Sequence, residues 1–254
     1  MRYLLRLAYK GTHYHGWQKQ HNAISVQSVL EEKLSLIVGE NIETLGCGRT
    51  DTGVHAKDFY AHFDSSQTLD LNRIVYKLNQ LLPDDIVAIE LYKVATEFNA
   101  RFDATFRTYE YWITQKPNPF LVEQAWYQYG KLDIEQMNAA AVLLVGKKDF
   151  QCFSKVHTQV DNFICDLTYA HWEVKEEKLV FTITANRFLR NMVRAIVGTL
   201  MEVGRGKLTL HDVEQILGSK NRSEAGQSVP AHGLFLTHIE YPVLHKEERT
   251  FVKE

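Results

Sequence analysis

Cysteine is scarce in this 254-residue chain, and the three present, Cys47, Cys152 and Cys165, form no C-x-x-C pair. An odd number without that spacing supports neither a disulfide framework nor a zinc knuckle. Long apolar runs are missing too: no stretch approaches the ~20 residues that span a bilayer. The start Met1-Arg2-Tyr3-Leu4-Leu5-Arg6 lacks the unbroken apolar run of a signal peptide. Neither G-x-x-x-x-G-K-[ST] nor G-x-G-x-x-G occurs, which disfavours binding of a nucleoside triphosphate or a dinucleotide, and no H-E-x-x-H supports a metal site. These absences lead to the expectation of a soluble, cytoplasmic protein with no membrane partner.

What is present fits one large domain or two small ones, with 45% hydrophobic and 24% charged residues. The net charge of −2 gives no support as a bulk value to a nucleic-acid binder, but its distribution is uneven. Arg2, Arg6, Lys10 and Lys19, with His13, His15 and His21, precede the first acid, Glu31. Arg187, Arg190, Arg194, Arg205 and Lys207 stand against Glu202 alone, while acids pair at Glu31-Glu32, Asp84-Asp85, Glu176-Glu177 and Glu247-Glu248. Such segregation lets a mildly acidic chain present a basic face; on charge alone, ordinary solvated surface is the default.

Hydrophobic spacing predicts a strand over 2–9, a helix from the cap Ser25 to Gly39, strands near 42–47 and 59–63, a helix from the cap Asp70 to Pro83, and a strand over 86–94. The order β-α-β-β-α-β is the ferredoxin-like split unit. The second half repeats it: a strand over 106–114, a helix from Asp133 to Gly146, a hairpin over 165–185, a helix from Phe188 through Leu200, a shorter one over 210–217, and a strand over 234–241. The fold class expected is α+β, two ferredoxin-like halves forming a mostly antiparallel sheet with helices on one face. The halves span residues 1–105 and 106–245, followed by a charged tail, 246–254.

The segment Gly46-Cys47-Gly48-Arg49-Thr50-Asp51-Thr52-Gly53-Val54-His55-Ala56 joins two predicted strands and is dense in glycine and small polar residues. Taken alone it is a turn with Asx hydrogen bonds, or a loop whose glycines let backbone approach a ligand closely. Gly48 to Ala56, G-R-T-D-x-G-V-H-A, resembles the signature of the TruA family of tRNA pseudouridine synthases. The likeness continues in Tyr9, Gly11-Thr12 and Gly16-Trp17-Gln18-x-Gln20, in Val26-Gln27 with Leu30-Glu31, and in Ala100-Arg101-Phe102. It extends through Arg107-x-Tyr109-x-Tyr111-x-Ile113, Phe188 with Met192-Val193-Arg194 and Ile196-Val197-Gly198, and Pro230-Ala231 with Gly233-Leu234. Lys10, Asn99 and Asp103 depart from the pattern, where aspartate, histidine and serine are usual.

The resemblance implies an isomerase that converts uridines 38, 39 and 40 of the tRNA anticodon stem-loop to pseudouridine, with no metal or organic cofactor. Its partners would be tRNA, not DNA, and a second copy in a homodimer. Asp51 matches the family's catalytic aspartate, Arg194 the arginine that pairs with it, and Tyr109 the tyrosine that stacks on the extruded uracil. Arg49 beside the loop would help displace the target base, and His55 would support the loop. Arg187, Arg190 and Arg194 fall at i, i+3 and i+7, one helical stripe that is either a solvated basic face or a set of phosphate contacts. Trp17 and Phe188 read as packing residues. Two other classes compete. A metal hydrolase built on His13, His15, His55 and Asp51 lacks ligand spacing. An RNA-binding module without catalysis fits a ferredoxin-like sheet but leaves the G-R-T-D loop and Arg194 unexplained.

Overall fold

The computed structural model describes residues 1–156 and 162–242; the predicted charged tail, 246–254, lies outside them. In chain order the elements are β1 (Arg2–Tyr9), α1 (Val26–Val38), β2 (Thr44–Gly46), β3 (His55–Asp64), α2 (Leu71–Leu81), β4 (Ile86–Val94), β5 (Phe106–Thr114), β6 (Trp126–Tyr127), α3 (Ile134–Val142), β7 (Gly146–Asp149), β8 (Ile164–Lys175), β9 (Lys178–Ala185), α4 (Met192–Gly204), α5 (Leu210–Ser219) and β10 (Leu234–Glu240). The architecture is α+β with mostly antiparallel strand pairing. Strand β6 pairs with β5 in parallel. No helix among the described residues is long and apolar enough to cross a membrane.

The described residues fall into two compact units: Met1–Phe106 with 236–242, and those within Arg107–Phe235. In the first, the strand order is β4-β1-β3-β10, and β2 also pairs with β3. Alternation along β1 buries Tyr3, Leu5, Leu7 and Tyr9, with Leu4 buried as well. Ser25 caps α1 by accepting from the Ser28 N–H, and Gly39 ends it in a left-handed conformation with φ 79°. Asp70 caps α2 in the same way through Arg73. Between α1 and β2 lies a buried polar bracket. Glu31 Oε1 accepts from the Thr44 N–H at 2.8 Å and from Gln27 Nε2 at 2.9 Å, and its Oε2 meets Lys19 Nζ at 3.2 Å. Gln27 also reaches the Thr44 carbonyl at 2.8 Å. The buried carboxylate is thus fully engaged, as a charge removed from water must be, and β2 is fixed where it enters the loop.

In the second unit the order is β5-β9-β8-β7. Trp172 and Phe181, 4.8 Å apart between ring centroids, anchor its core. All of α4 is buried except Arg194 and Glu202, the pattern of a helix enclosed by protein rather than lying on a surface.

Each unit uses one helical asparagine in the same way. Asn79 of α2 donates to the Ala88 carbonyl and accepts from the Ala88 N–H, both at 2.8 Å. Asn138 of α3 does the same to Trp172 of β8, at 3.0 and 2.7 Å. Both strand residues are buried, so these amides satisfy backbone groups that no neighbouring strand takes up.

Candidate active site

The predicted loop begins after β2 and ends earlier than expected, because β3 already starts at His55. Residues 47–54 are therefore a short connection, tied to β1 and to the segment that follows it. The Trp17 N–H donates to the Thr50 carbonyl at 3.3 Å, and the Tyr9 hydroxyl lies 2.9 Å from the Thr50 hydroxyl. The Gly53 N–H donates to the Tyr14 carbonyl at 3.3 Å, and the Val54 N–H closes the turn on the Asp51 carbonyl at 3.1 Å. His55 is buried and its Nδ1 accepts from the Gly11 N–H at 3.0 Å, the supporting role read from the sequence.

Gly16 shows why this arrangement needs its residue. With φ at 82°, a Cβ here would stand 2.2 Å from the Thr50 carbonyl oxygen. Trp17 is buried as expected, its ring 4.2 Å from Phe59 and 6.3 Å from Tyr9. The Gly16 and Trp17 carbonyls in turn accept from the Val26 and Gln27 N–H groups at the start of α1, at 3.2 and 3.1 Å. The motif residues of the first 31 positions are thus one scaffold around the loop. On that scaffold Asp51 is half-buried and Arg49 exposed.

Tyr109 and Arg194 belong to the second unit. Tyr109 is half-buried on β5, opposite Ile183 of β9, with the Phe188 ring edge-on at 5.1 Å between centroids. Tyr111, on the same face by strand alternation, is fully buried and donates to the Pro230 carbonyl at 2.8 Å. Burial raises its phenol pKa, opposed by the nearby Arg194 charge. Tyr111 is a core residue, whereas Tyr109 is only half-buried.

Arg194 sits in the first turn of α4 and donates through Nε to the Val229 carbonyl at 2.7 Å; the Val229 N–H donates back to the Arg194 carbonyl at 3.2 Å. The strap that carries Val229 is pressed onto α4 at Gly198, where a Cβ would meet the Gln227 oxygen at 1.8 Å. Close approach there explains the I-V-G pattern.

One expectation fails. Helix α4 begins at Met192, with Asn191 before it in a left-handed conformation at φ 67°. Arg187 and Arg190 therefore precede the helix, and no helical stripe unites them with Arg194. Phe188 and Met192 have helical spacing in sequence, but a residue at positive φ cannot continue a right-handed helix. Sequence reasoning also passed over Tyr14, Asp85 and the strap through Val229, whose signals are spatial. Among the described residues no group of three or more His, Cys, Asp or Glu side chains is arranged to hold a metal ion.

Comparison with known proteins follows the same lines. A family model described as tRNA pseudouridine synthase matches residues 140–242. The chain is similar to tRNA pseudouridine synthase A of Bacteroides fragilis, 49% identical over 243 residues, 95% of this chain and 96% of that protein. The protein of the same description from Porphyromonas gingivalis is 47% identical over 245 residues, 95% and 97% of the two chains. That from Clostridium acetobutylicum is 41% identical over 239 residues, 93% and 98%.

Proposed function

Because the chain belongs to the tRNA pseudouridine synthase family, as near-full-length identity to its members shows, we propose that it isomerises uridines 38, 39 and 40 of the tRNA anticodon stem-loop with Asp51 as the catalytic nucleophile. In the reaction the N1–C1′ bond breaks, the uracil turns, and C5 bonds to C1′. The hydrogen on C5 leaves to water and N1 takes up a proton, so atoms balance and no oxidant or reductant enters. A carboxylate suits this chemistry, as a nucleophile or as a stabiliser of positive charge on the sugar. The observation that carries the assignment is the Asp51 turn itself, fastened on both sides by backbone bonds while its aspartate stays half-buried.

Arg194 is the proposed ion-pair partner of Asp51; its Nε is tied to the Val229 carbonyl. Tyr109 is the proposed stacking surface for the extruded uracil and Arg49 the group that helps displace it, since a flipped base needs a replacement for lost stacking. A cofactor-free homodimer in the cytoplasm completes the proposal, because two copies enlarge a basic cleft that a chain of net charge −2 builds poorly alone. Two ferredoxin-like halves, joined near residue 105, are the fold reading that goes with it. Support comes from β2 and β3 pairing within β1-α1-β2-β3-α2-β4 and from the matching Asn79 and Asn138 brackets.

The test uses tRNA carrying uridine tritiated at C5. Wild type should release tritium to water; Asp51→Asn, folded and binding tRNA, should release none. Release at the wild-type rate would remove Asp51 from the mechanism.

A further inference from the structure

The turn bearing Asp51 is held on its N-terminal side by two contacts to Thr50, but on its C-terminal side by the Gly53 N–H on the Tyr14 carbonyl, at 3.3 Å. A bond of that length is weak and cannot by itself decide where Tyr14 stands. The Tyr14 N–H also turns back onto the Gly11 carbonyl at 3.0 Å, and Gly11 is held in turn by His55, while the Tyr14 ring is fixed separately. Its hydroxyl donates to Asp85 Oδ1 at 2.5 Å, a short bond to a carboxylate and of the stronger kind. The backbone carbonyl of the same Asp85 accepts from the Lys10 N–H at 2.8 Å. One residue at the entry to β4 therefore grips the Lys10–Tyr14 segment at both ends. Burial, then the bond to Asp85, raises the Tyr14 pKa, so the proton stays on the phenol and the direction of the bond does not change near neutral pH.

We propose that Asp85, acting through Tyr14, is a positioning residue of the reaction: it sets the height at which the Asp51–Val54 turn presents its carboxylate to the uridine. The inference rests on Asp51 as the catalytic group. Asp85 and Tyr14 are given no contact with the reacting atoms; their influence passes through the Gly53 amide, two residues from Asp51. A small shift there matters, because a displacement of about 1 Å can slow a reaction by about 10²-fold. The contact could instead serve only to pin β4 to the segment after β1. In that case its loss would lower stability and leave turnover by the folded enzyme alone.

The experiment compares Tyr14→Phe, Asp85→Ala, Asp85→Asn and the double variant Tyr14→Phe/Asp85→Ala, in the full chain, by tritium release from unmodified tRNA. Thermal stability and tRNA binding are followed in parallel. Tyr14→Phe and Asp85→Ala should each lower kcat by about tenfold or more while KM and Kd stay within about twofold. The double variant should be no slower than the slower single one, since both break one link. Asp85→Asn keeps an oxygen to accept the hydroxyl and should recover most of the turnover that Asp85→Ala loses. Unchanged kcat in Tyr14→Phe and Asp85→Ala would overturn the proposal. So would a loss that disappears at an assay temperature where both are fully folded, or an Asn variant as slow as Ala. If Tyr14→Phe does not fold, the Asp85→Asn and Asp85→Ala pair decides alone. Asp51→Asn in the same assay keeps the two assignments apart. An inactive Asp51→Asn beside a normal Tyr14→Phe refutes only the positioning role, whereas an active Asp51→Asn refutes the catalytic one.

Discussion

Gly16 lies so close to Thr50 that the space a Cβ would occupy at residue 16 is 2.2 Å from the Thr50 carbonyl oxygen. That oxygen also receives the Trp17 N–H at 3.3 Å, so moving it away would stretch an already long bond beside Asp51. Gly16→Ala should therefore destabilise the protein by at least about 2 kcal/mol, overpacking and positive φ acting together. Tritium release should fall further than the folded fraction does. A variant with wild-type melting temperature and turnover would show that the loop tolerates displacement.

Tyr109 and Phe188 meet edge to face at 5.1 Å, which leaves the role of the Tyr109 hydroxyl separable from that of its ring. Tyr109→Phe should bind tRNA much as wild type does. Tyr109→Ala, losing a stacking surface worth about 1–3 kcal/mol, should turn over at least about tenfold more slowly than the Phe variant. Near-normal rates in both would make Tyr109 a packing residue like Tyr111.

His62 gives a pH dependence of known sign. It is buried, its Nδ1 accepts from the Ala100 N–H at 3.1 Å, and burial, then the Arg2 charge, lowers its pKa. In the unfolded chain an imidazole titrates near ~6.5. As pH falls through that value the unfolded state binds the proton first, so stability is lost until the folded pKa is passed. His232, also lowered by burial, adds to the loss with the same sign. Melting temperature should drop more between pH 7.5 and 5 for wild type than for His62→Asn, whose amide oxygen can take the Ala100 bond. Parallel curves for the two proteins would count against His62 as the source.

Turnover should survive dialysis against EDTA without loss. Activity that vanished and returned on adding zinc would contradict the cofactor-free mechanism.

The parts of this fold that sequence reveals are those whose causes are local. Ser25 and Gly39 bracket α1, and Asp70 and Asp133 start α2 and α3, because a cap is decided within a turn of the residue that makes it. The start of β3 escaped notice because Val54-His55-Ala56 continues a glycine-rich loop in sequence, yet His55 already bonds to Gly11 across the fold. Strands β6 and β7, of two and four residues, are too short to show a period. Gly146, expected to end α3, opens β7 instead, since the helix has already stopped at Val142. Asp51, Arg194 and Tyr109 are singled out by motif likeness alone, whereas Tyr14 and Asp85, 71 residues apart, can be joined only by seeing their bond. Their separation carries no pattern that a linear reading can detect.

The paired bonds of Asn79 and Asn138 have a consequence beyond the units they close. A strand with unpaired N–H and C=O groups is a template on which another chain can add, the first step towards aggregation and swapped assemblies. At Ala88 and Trp172 each template is occupied by a side-chain amide that imitates a neighbouring strand at a single residue. An arriving strand would have to break both of those bonds, at a buried position, before it could align. A chain with long antiparallel strands and a mild net charge thereby has one pairing position closed to an incoming strand on each of β4 and β8.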